Sequence, residues 1–298
     1  KALAMLKGVS APARPGQMPL TEFNALKEQY QKGNFIDLAN QAQGLANAFP
    51  KDKALLNLLG SVFNQLNQAQ AAITLLSGAL RLDRFFIDAQ FNLGIAHQKN
   101  QDLANAIACF QNVIELAPNN GAAHFKLANA FRANSEFQKA ILHYKKTLTL
   151  ESNHAPAHCN LGLSLQAIGD IAQAIRQYQA ALKIDPKFVP AQGNLGNAMM
   201  AQGAFENAIK AFLKTLKLQP ENYITSLNLG RAYKENGDFQ AACNAFSKVI
   251  SMQPEFSEAH NDLGLTLYGQ GKLETALKSY QKAVDLNPNY ADAYNNMG

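Results

Sequence analysis

Cysteine is scarce. Cys109, Cys159 and Cys243 are the only three, far apart and odd in number. That usage excludes a disulfide framework and a Cys-x-x-Cys metal pair, so no metal is expected. It fits a reducing compartment, with the cytoplasm as the expected location. Charge is sparse too: 16% of the 298 residues are Asp, Glu, Lys or Arg, against roughly 25% in typical soluble domains. The net charge of +5 is spread without a Lys/Arg block, which argues against nucleic acid as a partner. No apolar run approaches the roughly 18 residues of a membrane span. Walker loops, Gly-x-Ser-x-Gly and His-Glu-x-x-His are all missing, so neither catalysis nor a cofactor is expected of this chain.

What the chain has is apolar content, 47% of residues, and a period. Pro50, Pro118, Pro186, Pro220, Pro254 and Pro288 fall on one 34-residue lattice, with Arg84 and Ser152 at the two points that lack proline. Taking this proline as position 32, units begin at residues 19, 53, 87, 121, 155, 189, 223 and 257. An 18-residue leader precedes them, and residues 291–298 open a ninth unit. The leader is turn-rich from Val9 to Pro19 and reads as a linker; residues 1–8 have the makings of a helical turn or two. The first residues are too few for a signal peptide. Lys1 is not an initiator Met and the last unit is cut short, so both ends are expected to be cuts from a longer chain.

Each unit reads as helix A, a glycine turn, helix B and proline. Position 8 is Gly60, Gly94, Ala128, Gly162, Gly196, Gly230, Gly264 and Gly298, and position 20 is alanine from Ala72 onward. Small residues let helix axes approach closely. Position 24, held by Phe110, Tyr144, Tyr178, Phe212, Phe246 and Tyr280, fills the space they open. Position 15 holds Gly33, Gly169, Gly203, Gly237 and Gly271, suited to a left-handed turn. Asn67, Gln101 and Ser135 replace it elsewhere, and the last two predict less ideal turns. The proline keeps the preceding residue out of helix. The first unit departs from the pattern, with Leu26, Leu38 and Ala42 at positions 8, 20 and 24. Terminal repeats are commonly atypical.

A stretch such as Asn194-Leu195-Gly196, Gly203-Ala204-Phe205, Ala208-Ile209, Phe212 and Pro220 resembles the tetratricopeptide repeat family over residues 19–298. The resemblance implies an all-α, right-handed superhelical solenoid of antiparallel helix pairs. It also implies that helix A lines a concave groove that binds protein segments, through positions 2, 5, 6, 9, 12 and 13. Position 6 carries Asn92, Lys126, Asn160, Asn194, Asn228 and Asp262. An Asn amide both donates and accepts, so a ladder of them can hold peptide backbone without reading side chains. The equal alternative is that Asn belongs to the helix-A pattern itself. A similar ladder lines the groove of O-linked N-acetylglucosamine transferases, and arrays of this style resemble those that precede bacterial transferase domains.

Phe91 and Phe125, both at position 5, offer an apolar anchor or pack on neighbouring helices. Lys126 and Arg132 with Asn92, or Arg231 and Lys234 with Asn228, imitate part of the carboxylate clamp of chaperone-binding members of the family. His124, His158 and His260 share position 4, where half-buried packing is the expected role. The function expected is a protein-interaction module holding an extended segment. The alternatives are the substrate-recruiting arm of a glycosyltransferase or sulfotransferase whose catalytic part lies outside this chain, and a scaffold that self-associates end to end.

Overall fold

The computed structural model describes residues 16–298, and the helical turns expected over residues 1–8 lie outside them. The described residues form helices throughout and fall into two compact units, divided between Ser152 and Asn153. The first holds α1 (Leu20–Gln31), α2 (Phe35–Ala48), α3 (Lys53–Gln65), α4 (Ala69–Leu82), α5 (Ile87–Lys99), α6 (Leu103–Leu116), α7 (Gly121–Ala133) and α8 (Phe137–Leu150). The second holds α9 (Ala155–Ala167), α10 (Ile171–Ile184), α11 (Val189–Ala201), α12 (Phe205–Leu218), α13 (Tyr223–Glu235), α14 (Phe239–Met252), α15 (Ser257–Gly269), α16 (Leu273–Leu286) and α17 (Ala291–Met297). Within each unit, every helix packs on the next, and helix A of one repeat also touches helix A of the following one.

The packing follows from the small and large positions. A Cβ added at Gly196 would stand 2.5 Å from the ring of Phe212, and at Gly230 2.6 Å from Phe246. The rings of Phe212 and Phe246 are almost wholly buried in these gaps. Leu38, Leu55, Leu59 and Val62 make the first core, around which Phe23, Tyr30 and Phe63 are half-buried. Met18, 6% exposed, joins it, and its N–H donates to Asp52 Oδ2 at 3.1 Å. Met18, at the end of the leader, is thus docked, and residues 9–15 of the expected linker lie outside the described residues. At the other terminus α17 covers Ala283 and Val284 with Ala293 and Met297.

Helix ends are set by local chemistry. Asp102, Asp170 and Asp238 cap helix B starts by accepting from the backbone N–H three residues on. Asn67, Gln101 and Ser135 take left-handed φ of 57°, 60° and 60°, as the glycines do at the equivalent turns. The turns expected to be less ideal therefore keep the same geometry, with the strain borne by the side-chain-bearing residue. Helices α4 and α8 stop at Leu82 and Leu150 although Arg84 and Ser152 replace proline. Each ends on a residue that leaves helical backbone, Asp83 at φ −151° and Glu151 at φ −136°.

Candidate binding groove

The helix-A positions expected to face a ligand come together within each compact unit. In the first, Asn92 on α5 donates its Nδ2 to Asn57 Oδ1 and Ser61 Oγ on α3, both at 2.9 Å. Asn64 Nδ2 returns a bond to the Asn92 carbonyl at 2.9 Å. The Lys99 ammonium reaches the Asn64 carbonyl and Asn67 Oδ1. In the second, Asn194 donates to Cys159 Sγ at 3.6 Å, Asn228 to Asn197 Oδ1 at 3.1 Å, and Asn296 to Asn261 Oδ1 at 2.9 Å. Asn160, on α9, is half-buried at the same position.

Position 6 thus has a structural use. Its amide N–H reaches back to position 5 or 9 of the preceding helix A. Each amide has two N–H donors and an accepting oxygen. Asn92 uses both donors within the protein, whereas Asn194 and Asn228 use one each. Among the described residues, none of the three amide oxygens accepts a side-chain hydrogen bond. Sequence reasoning named positions 5, 9 and 12 as groove-facing yet missed Asn57, Ser61, Asn64, Asn197 and Asn261, because a bond between side chains of successive units is not visible in the register of either unit alone. Their signal was present: polar residues at positions 5, 9 and 12 of neighbouring units, one helical turn from the ladder.

A cavity of about 310 Å³ opens between α11 and α13, lined by Pro190, Asn194, Asn197, Ile224 and Asn228 among others. Ile224 is 46% exposed at its edge. Amide groups and an apolar side chain therefore share one wall.

The charged candidates divide. In the second unit Arg231 Nε donates to Asp262 Oδ2 at 2.6 Å, and its guanidinium also lies 3.7 Å from Glu258. Lys234 pairs with Glu235 at 3.3 Å. These cations are balanced internally, which weakens them as a clamp for a free carboxylate. In the first unit, burial together with the nearby Lys99 charge lowers the pKa of Lys126. Arg132 has a buried Nε without a partner.

Phe91 meets Phe110 edge-on at 5.8 Å between ring centroids, and Phe125 lies 6.0 Å from Tyr144. Both pack on helix B of their own repeat and stay half-buried. His124 and His260 each place Nε2 3.0 Å from the carbonyl of the preceding position-32 proline, Pro118 and Pro254. His158 Nδ1 lies 2.8 Å from Gln177 Oε1. Among the described residues no three His, Cys, Asp or Glu side chains converge, and no helix is long and apolar enough to cross a membrane.

Comparison with known proteins agrees with this architecture. A tetratricopeptide repeat family model matches residues 91–155, 159–223 and 227–291. No curated protein matches the chain in sequence. Among solved structures, the APC/C hetero-tetramer Cut9-Hcn1 aligns with a TM-score of 0.60 and 18% identity, over 88% of this chain and 52% of that one. The present chain thus spans about half the length of that relative. The C-terminal part of a TPR repeat-containing protein from Cytophaga hutchinsonii aligns with a TM-score of 0.67 and 15% identity, over 80% of this chain and 98% of that one. YrrB, described as a TPR protein with an unusual peptide-binding site, aligns with a TM-score of 0.56 and 21% identity, over 62% and 96%. At these identities the likeness is one of fold. The family model covers well over half of the sequence, and the chain belongs to the tetratricopeptide repeat family.

Proposed function

We propose that this chain is a protein-interaction module that holds an extended segment of a partner along its helix-A face. The observation that carries the reading is the cavity between α11 and α13, where Asn194, Asn197 and Asn228 gather beside Ile224. Amide oxygens there accept from peptide N–H groups, and the remaining amide donors of Asn194 and Asn228 reach peptide carbonyls. Neighbouring helices pack about 10 Å apart and an extended chain advances about 3.3 Å per residue, so one repeat serves about three peptide residues. Each such bond contributes about 0.5–1.5 kcal/mol net, and ordering the peptide offsets much of it. Binding is therefore weak to moderate and tolerant of sequence. YrrB, with its described peptide-binding site, supports the reading by analogy of fold.

The test is isothermal titration against a panel of unstructured peptides, with Asn160, Asn194 and Asn228 changed together to alanine. Loss of binding with an intact helical spectrum supports the groove. Unchanged affinity overturns it.

A second reading, self-association, is favoured by the exposure of Tyr268, Leu273, Leu277 and Tyr294 on α15 to α17. Concentration-dependent light scattering, suppressed by Leu273→Lys and Leu277→Lys, would support it. The reading as a transferase's recruiting arm rests on sequence resemblance alone.

A further inference from the structure

Position 4 of helix A and position 23 of helix B face each other within a repeat. In the fourth repeat they are His124 and His143, with Nδ1 atoms 3.0 Å apart. In the fifth they are His158 and Gln177, in contact at 2.8 Å. In the sixth they are Gln192 and Ala211, and alanine ends at Cβ. Gln192 is only 6% exposed, and what remains uncovered of it lines a cleft.

Where the pair fails to close, a cleft of about 600 Å³ opens between α10 and α12 over α11. That is within the range of about 300–1,000 Å³ typical of ligand sites. Leu182, Leu195 and Met199 supply its apolar lining. Lys183, Lys210 and Lys214 stand around it, all exposed, and no Asp or Glu lines it. Lys210 and Lys214 are four residues apart on one helix, a like-charge spacing that is unfavourable until an anion arrives. The Gln192 amide lines the same cleft and offers both a donor and an acceptor to an occupant. Three features of different chemistry thus ask for one occupant: an apolar group for the floor, carboxylates for the rim and a polar backbone atom for Gln192.

We infer that this cleft is a second binding site, on the helix-B side and apart from the Asn-lined face. Its occupant is a protein segment with an apolar side chain flanked by acidic ones. The cleft is open to solvent rather than enclosed, as suits a side chain presented from a backbone rather than a metabolite. The inference does not depend on the helix-A groove, because the cleft is built from helix-A positions 4, 7 and 11 and from helix B.

The probe is a fluorescein-labelled Asp-Glu-Leu-Phe-Asp-Glu peptide, followed by anisotropy on the full chain. Ala211→Gln installs the residue that the fifth repeat carries at this position, so it should close the cleft without disturbing the fold. Lys210→Glu with Lys214→Glu reverses the rim. Either change should weaken binding by about tenfold or more. Replacing Asn160, Asn194 and Asn228 by alanine should leave it unchanged. A peptide with Gly-Ser in place of Leu-Phe, and glutarate alone, should compete poorly. If Ala211→Gln lowers the melting temperature, the Met199 methyl resonance of the unaltered chain, shifted on titration, locates the peptide instead. The inference is overturned by no binding up to about 1 mM. It is also overturned by equal affinity in a folded Ala211→Gln variant, by a Met199 resonance that does not move, or by equal competition from the Gly-Ser peptide.

Discussion

Asn92 and Asn57 join successive repeats, Nδ2 to Oδ1 at 2.9 Å, across the helix-A face. The bond makes Asn92 part of the scaffold as well as of any ligand surface. Alanine at this position should lower stability by about 1 kcal/mol, since the Asn57 oxygen and the Ser61 hydroxyl lose their donor. Urea denaturation checks this. A neutral result would contradict a structural role for this bond.

The glycine opposite each large ring admits a graded test. Alanine at Gly196 would set a Cβ 2.5 Å from Phe212 Cε1. Overpacking costs about 1–3 kcal/mol, while replacing a mid-helix glycine by alanine returns about 1 kcal/mol. The fourth repeat carries Ala128 here opposite a fully buried Tyr144, so a ring can give way. Gly196→Ala should therefore cost between about 0 and 2 kcal/mol, and Gly196→Leu distinctly more. Chemical denaturation of the two variants separates the outcomes.

Gln101 and Ser135 hold φ of 60° at turns where other repeats use glycine. A left-handed L-residue costs about 1–2 kcal/mol, and glycine's extra unfolded-state freedom takes back about 0.5–1 kcal/mol. Gln101→Gly and Ser135→Gly should each raise stability by about 0.5–1 kcal/mol. A lower melting temperature in either variant would contradict this account of the turns.

Acid should destabilise the first compact unit. Burial, with the neighbouring His124 as a lesser cause, pushes the His143 imidazole down from 6.5 to about 4. At pH 7 both folded and unfolded forms are neutral. As pH falls below about 6.5 the unfolded chain binds a proton that the folded one refuses, so stability is lost between about 6.5 and 4. His143 is half-buried, so solvent screening holds the loss to about 1–2 kcal/mol. Melting temperature against pH should fall over this window, and His143→Gln should flatten the profile.

The fold was largely legible because a repeat states each structural decision several times over. Small residues at positions 8 and 20 and an aromatic ring at position 24 name which surfaces meet, and position 15 names the turn. Repetition also misled in small ways. The proline at position 32 predicts the stop for helix B, yet α4 and α8 end without it. The position-6 asparagines admit two uses in sequence, clamping a peptide backbone or belonging to the helix-A pattern. Their donors turn to the preceding helix, a contact across 31 to 35 residues that one register position does not reveal.

Sequence by itself determined the helices, their lengths and their pairing, because local capping, turn chemistry and side-chain size suffice to specify a unit that contacts mainly its neighbours. Only the tertiary structure decided which polar groups are spent inside the protein. Arg231 is committed to Asp262, and Asn92 to Asn57 and Ser61. Gln192 is left facing a cleft because Ala211 is too short to reach it. Those outcomes depend on distances of a few ångströms between side chains from different helices. A sequence pattern fixes which residues share a face, and hydrogen bonding is decided by how far each side chain then has to reach.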